Sequence, residues 1–135
     1  VADRLHLEVV TQTRRLLDVH VEEVQLPGVL GALGVLPGHT PLLTSLGIGE
    51  LMYRSDHRES YLAIQWGFAE VLPDRVTVLA TVAETPEEID VEGAERDLHE
   101  AEAALKTADA VELERMRARL QMAVTRLQVA GHRTS

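Results

Sequence analysis

Near Glu84-Thr85-Pro86 the spacing of apolar residues changes from every second position to a helical repeat, which divides the chain into two structurally different parts. Before the switch, Leu5, Leu7 and Val9 alternate with His6 and Glu8, and Leu17, Val19 and Val21 alternate with Asp18, His20 and Glu22. Val76, Val78, Ala80 and Val82 form the cleanest run, with Thr77 and Thr81 facing the other way. Such alternation describes strands with one buried face. Turn signals separate the runs at Pro27-Gly28, Pro37-Gly38, Gly47-Ile48-Gly49, Ser55-Asp56-His57 and Pro73-Asp74. Many short strands with no helical stretch between them predict a β-sandwich or barrel.

After the switch, Pro86 suits an early helical position, and Glu87, Glu88 and Asp90 favour a helix N-terminus. Ala94, Leu98, Ala101, Leu105 and Ala108 follow at helical spacing, then Leu113, Met116, Leu120, Ala123, Leu127 and Ala130 after a break. Two such stripes joined by a short link predict an antiparallel helical hairpin, with Gly131 as a stop signal. The predicted fold class is therefore mainly β plus α: a β-sandwich or barrel over residues 1–85 and a two-helix hairpin over 86–135. Six large side chains on the seam (Leu98, Leu105, Leu113, Met116, Leu120 and Leu127) are few for a free-standing hairpin. The hairpin needs a surface to rest on, and a marginal element is suited to moving.

Composition restricts the function classes. The chain holds four aromatic residues, Tyr53, Tyr61, Trp66 and Phe68, so its core is aliphatic and offers no stacking platform for single-stranded nucleic acid. A net charge of −9 opposes binding to a phosphate backbone. The charge is uneven: residues 84–111 carry 2 basic and 10 acidic side chains, whereas residues 112–135 carry 5 basic and 2 acidic ones. Such blocks invite pairing with each other or with a partner. Without cysteine there are no disulfides or thiolate metal sites. No apolar run reaches the roughly 20 residues a membrane-spanning helix requires. Val1-Ala2-Asp3-Arg4 lacks a signal pattern, so any membrane contact is expected through a partner.

Chemistry-bearing motifs are scarce. The six histidines show no HExxH or similar spacing, the glycines match neither a P-loop nor GxGxxG, and no nucleophile setting occurs. No metal site and no catalysis are expected. His39 lies in a rigid Leu36-Pro37-Gly38-His39-Thr40-Pro41-Leu42 segment, readable either as an inter-strand loop or as a partner-facing one. Arg115, Arg119 and Arg126 lie roughly along one side of the last helix, with Arg117 off it. They can pair with first-helix acids such as Glu95 and Glu102, or dock onto an acidic partner. The local sequence leaves both open.

The stretch Gly34-Val35-Leu36-Pro37-Gly38-His39-Thr40-Pro41-Leu42-Leu43-Thr44, followed by Gly49-Glu50-Leu51, resembles the epsilon-subunit family of bacterial and chloroplast F-type ATP synthases. The resemblance continues through Gly67-Phe68-Ala69-Glu70-Val71, Val76-Thr77-Val78-Leu79-Ala80, Ile89-Asp90 and Arg126-Leu127-Gln128-Val129-Ala130. It implies a ten-stranded β-sandwich bound to the gamma subunit and resting on the ring of c subunits, as part of the central-stalk rotor. Leu36, Gly38, His39, Thr40, Pro41 and Leu42 would lie near those contacts. The hairpin would either fold against the sandwich or extend along gamma into the head and restrain ATP hydrolysis, Arg115, Arg119 and Arg126 then facing acidic segments of the alpha and beta subunits of the catalytic head. The implied location is peripheral, at the cytoplasmic face of the bacterial plasma membrane.

Some relatives with this resemblance bind ATP through an Ile/Leu-Asp-x-x-Arg-Ala motif. Here the run is Ile89-Asp90-Val91-Glu92-Gly93-Ala94, so Gly93 replaces the arginine, and Met122 stands where a second arginine is often found. Ala32 likewise replaces a common Glu in the glycine-rich loop. Glu84, Ile89, Asp90 and Arg126 remain, but two phosphate-binding cations are missing. The expectation is no cofactor and weak or absent ATP binding, which saturation of the isolated protein at micromolar ATP would overturn. The alternative is a nucleotide-sensing, ATP-binding regulatory module.

Overall fold

The structure, a computed structural model, describes residues 4–133. The outermost ends of the two predicted domains, 1–3 and 134–135, lie outside the described residues. Seven strands come first: β1 (Leu5–Val10), β2 (Arg15–Val21), β3 (Glu23–Gly28), β4 (Gly31–Val35), β5 (Leu42–Ser55), β6 (Arg58–Leu72) and β7 (Arg75–Glu84). They form one sheet of order β2-β1-β7-β6-β5-β3-β4, antiparallel except for the β1–β7 pair.

This single sheet folds over into a sandwich, and the burial pattern marks the corner. In β5 the core residue Leu46 has even parity and Leu51 odd; in β6, Leu62 and Ile64 give way to Ala69 and Val71; in β7, Val76, Val78 and Ala80 give way to Ala83. The inversions share one cross-strand row. Leu46 pairs with Gly67 and Ile48 with Gln65, which sets Gly47 opposite Trp66; Gln65 pairs with Val82 and Gly67 with Ala80, which sets Trp66 opposite Thr81. At that row Trp66 has φ 49° and Gly67 φ 156°. The three long strands therefore run through both layers, and seven strands supply ten strand segments, five per layer. The ten-stranded sandwich implied by resemblance is in this way a seven-stranded sheet bent once.

The first layer contains β2, β1 and residues 75–80, 67–72 and 42–46 of the long strands; the second contains their remaining halves with β3 and β4. Between them lies an aliphatic core including Leu5, Leu7, Val9, Val24, Leu26, Leu51, Leu62 and Ile64. Alternating positions point inward because successive strand side chains face opposite sides.

The helical part departs from expectation at its start. Pro86–Glu88 forms a separate 3-10 turn, and α1 (Val91–Leu105) begins only after Asp90, whose carboxylate accepts the Gly93 N–H at 3.0 Å. A Cβ at position 93 would stand 2.3 Å from that carboxylate, so the glycine makes room for the cap. After a short link, α2 (Ala110–Ala130) is capped by Asp109 and ends at Gly131, which has ordinary right-handed geometry.

The predicted seam is only partly correct. Ala94, Ala101, Met116 and Ala123 are buried, whereas Leu98, Leu105, Leu113, Leu120 and Leu127 are only half-buried. Buried alanines let the helix axes approach closely, and leucines then flank the contact. A second apolar face of α2, carrying Met122 and Val129, packs on Ile48 and Ala63 of the sheet. The hairpin thus lies on the outer face of the second layer, with α2 against the strands.

Candidate functional site

The two outer faces of the sandwich have different surroundings. On the second layer, outward Ile48, Tyr61, Ala63 and Val82 meet α2. On the first layer, outward Phe68 and Leu79 are directly paired across β6 and β7, Leu79 is opposite Val10, and Ser45 opposite Phe68. Phe68 is 55% exposed and Leu79 53%, and with Val10 they line a shallow depression of about 570 Å³. Leu43 continues this face at 71% exposure. Phe68, Leu79 and Leu43 thus form an exposed apolar patch among polar and charged neighbours such as Glu70 and Thr77. Sequence reasoning missed it, although Leu79 stands on the same side of its strand as Thr77 and Thr81.

The segment predicted from 36 to 42 adjoins this face. Gly38, at φ +85°, donates its N–H to Pro73 O at 2.7 Å, and His39 N–H donates to Leu36 O at 3.1 Å. The His39 ring is turned onto its own backbone, Nδ1 lying 2.6 Å from Thr40 O. Leu36, Thr40, Pro41 and Leu42 remain exposed. The loop is thus an inter-strand turn held by these hydrogen bonds, with four side chains left exposed. The β3–β4 tip adds Val29 and a fully exposed Leu30, neither singled out from sequence.

Of the four arginines on α2, the three predicted to dock each have an acidic partner. Arg126 Nε donates to Glu84 of β7 at 2.7 Å, and Arg119 to Asp97 and Glu100 of α1 at 2.8 and 2.7 Å. Arg115 pairs within its own helix with Glu112 at 3.0 Å. Pairing with the first helix is therefore correct for Arg119, through Asp97 and Glu100 rather than Glu95 and Glu102. The Asp97 and Glu100 hydrogen bonds raise the already high pKa of Arg119.

The predicted nucleotide residues do gather. Glu84, Asp90 and Arg126 line a cleft of about 210 Å³ together with Glu88, Gly93 and Asp97, while Ile89 is buried in the hairpin–sheet contact. Four carboxylates face one arginine there. Met122 is an apolar anchor against the sheet, 4% exposed. Among the described residues no histidine, cysteine and carboxylate cluster suited to a metal occurs.

One further contact joins the two parts. Arg14, in the β1–β2 turn, grips Glu88 through Nη1 at 2.6 Å and Nη2 at 3.0 Å, while Glu88 also accepts the Thr85 N–H at 2.9 Å. The Arg14 hydrogen bonds hold the Glu88 carboxyl down at about 2, against an ordinary 4.5. A depressed carboxylate pKa contributes stability that is complete above the ordinary value and falls away as pH drops toward the folded one. Acid titration from pH 6 to 3 should therefore destabilise the native chain more than Arg14→Met, as read from urea midpoints at each pH; equal slopes would show the clamp to be inert.

A bent β-sandwich with an exposed apolar patch on one outer face, and a helical hairpin folded over the other, defines a two-part fold. Residues 4–86 match the ATP synthase delta/epsilon chain β-sandwich domain and residues 87–131 the long α-helix domain of the same chain. The chain belongs to this ATP synthase delta/epsilon family, on its F-type epsilon branch. An ATP synthase epsilon chain 2 of Syntrophotalea carbinolica is 48% identical over 132 residues, covering 96% of each chain. The epsilon chain of Koribacter versatilis is 50% identical over 107 residues, covering 79% of this chain and 75% of that one. A chain in a structure of the Euglena gracilis mitochondrial ATP synthase, spanning its OSCP, F1 and c-ring, superposes with TM-score 0.84 at 25% identity, covering 98% of this chain and 84% of that one.

Proposed function

We propose that this chain is a central-stalk rotor component that couples proton flow to ATP synthesis and, through its hairpin, restrains ATP hydrolysis. The apolar face of Phe68, Leu79 and Leu43 would seat the gamma subunit. The rigid loop from Leu36 to Leu42, with Gly38, His39, Thr40 and Pro41, would lie at the gamma and c-ring boundary. Membership of the family supports the assignment, as does the Euglena assembly containing F1 and c-ring. The chain itself would carry no active site and bind no nucleic acid. It would sit at the cytoplasmic face of a bacterial plasma membrane and reach the membrane only through the complex.

The observation that carries the regulatory part is the state of the α2 arginines. Arg119 and Arg126 are occupied by Asp97, Glu100 and Glu84 while the hairpin is docked. Moving the hairpin frees Arg126 from the sandwich, and parting its helices frees Arg119. With Arg115, both can then face acidic surfaces of the alpha and beta subunits. Deleting residues 87–135 should speed ATP hydrolysis by the assembled complex, measured as steady-state turnover. Unchanged turnover would remove the inhibitory part of this proposal and leave the rotor role standing.

ATP is not proposed as the trigger. Four carboxylates line the cleft, and its lining cation, Arg126, is already paired with Glu84, while Met122 beneath the hairpin adds no charge to hold a phosphate.

A further inference from the structure

Beyond α2 the chain does not simply run off the surface. The His132 ring lies flat on Tyr61 of β6, centroids 3.5 Å apart and planes within 10°, with its Nε2 3.1 Å from Glu50 Oε2 on β5. The next residue turns the other way. Arg133 Nε donates to Pro86 O at 2.7 Å, and its Nη2 donates to Ile89 O. Two consecutive side chains thus tie the end of α2 to two strands of the second layer and to both ends of the turn from which the hairpin departs.

We propose that Gly131-His132-Arg133 is a latch that sets how readily the hairpin leaves the sandwich. The inference rests on the reading of the hairpin as a moving element, and it assigns that motion to a particular lock. Three physical features support it. The contacts bridge the mobile element and its support, so they exist only in the docked state. Arg133 joins the last turn of α2 to the linker at Pro86–Ile89, so lifting α2 while the linker stays in place must break both bonds. His132 presents a ring face to Tyr61 and an edge to a carboxylate, so neither contact can be kept without the other's geometry. Aromatic stacking and hydrogen bonds to charged groups are each worth enough to shift a local opening equilibrium severalfold.

The test is amide hydrogen exchange of the full chain, resolved by segment. His132→Ala and Tyr61→Ala should each speed exchange in α2 about tenfold while β1 and β7 stay protected. Combining them should give less than the product of the two effects, because both break the same ring stack. Tyr61→Phe should behave as the native chain, since the ring face is retained. Arg133→Ala should also speed α2 exchange. Unchanged α2 exchange in His132→Ala, or Tyr61→Phe matching Tyr61→Ala, would overturn the latch. If α2 and the strands instead lost protection in step in every variant, the hairpin would be no separate moving element, and the reading beneath the latch would fail.

Discussion

Replacing Gly67 with alanine is expected to lower folding stability by about 3–5 kcal/mol, the sum of backbone strain at a glycine-only conformation and overlap with the neighbouring strand. Gly67 has φ 156°, and a Cβ there would lie 1.9 Å from Leu79 O and 2.9 Å from Ala80 Cα. Both contacts are backbone, so no flexible side chain can swing aside. The residue also stands beside the row where β5, β6 and β7 invert their inward parity together. Displacing β7 from β6 there would disturb the core on both sides of the corner. Urea denaturation followed by tryptophan fluorescence measures the effect, since Trp66 adjoins the site. Gly34→Ala is the control: nothing lies within 4 Å of its added Cβ and its φ is not in the left-handed region. Equal midpoints for the two variants would mean that the corner is not held by Gly67.

The second large effect concerns the hairpin alone. Met122→Ala should weaken docking by about 2–3 kcal/mol through loss of buried side-chain contacts and an incompletely closed cavity. Met122 packs with Ile48 and Ala63 of the sheet and with Val129 one heptad further along α2. Its neighbour Gln121 reinforces the same contact by donating to Ile48 O at 2.8 Å. Trypsin reads the outcome, because undocking and fraying expose the chain around Arg119 and Arg126, and cleavage follows the open population when reclosing is fast. Cleavage there should accelerate about thirtyfold or more, with little change at Arg54 and Arg75 in the sheet. Met122→Leu, which nearly conserves volume, should behave almost as the native chain. Equal acceleration at Arg54 would show sheet and hairpin to be one cooperative unit.

Met122 also shows where sequence reading reaches its limit. Resemblance marks it as a missing arginine, a loss of phosphate-binding charge. The structure gives it a positive role as the apolar contact between helix and sheet. The heptad stripe through Met116 and Ala123 identifies the face of α2 turned toward α1, but Met122 and Val129 also recur at seven residues, on a different face. A helix long enough to contact two neighbours carries two such stripes, and periodicity alone does not say which one meets which neighbour. The same limit applies to Phe68 and Leu79, whose exposure follows only once the interior of the first layer is assigned to Ala69, Val71, Val76 and Val78.

From the sequence alone came the boundary near residue 85, the strand and helix types on either side, the rigid loop around His39, and the family to which the chain is akin. The first three depend on local spacing and on turn chemistry, which a single segment carries in itself, whereas the family rests on a resemblance of motifs running in order along the chain. Tertiary structure alone decided the corner at Gly47, Trp66 and Thr81, the choice of sheet face for the hairpin, the partners of Arg119 and Arg126, and the tail at His132. Each of those requires groups far apart in the chain to meet. Their placement is fixed by the sum of packing over the whole molecule, to which no short stretch of sequence gives access.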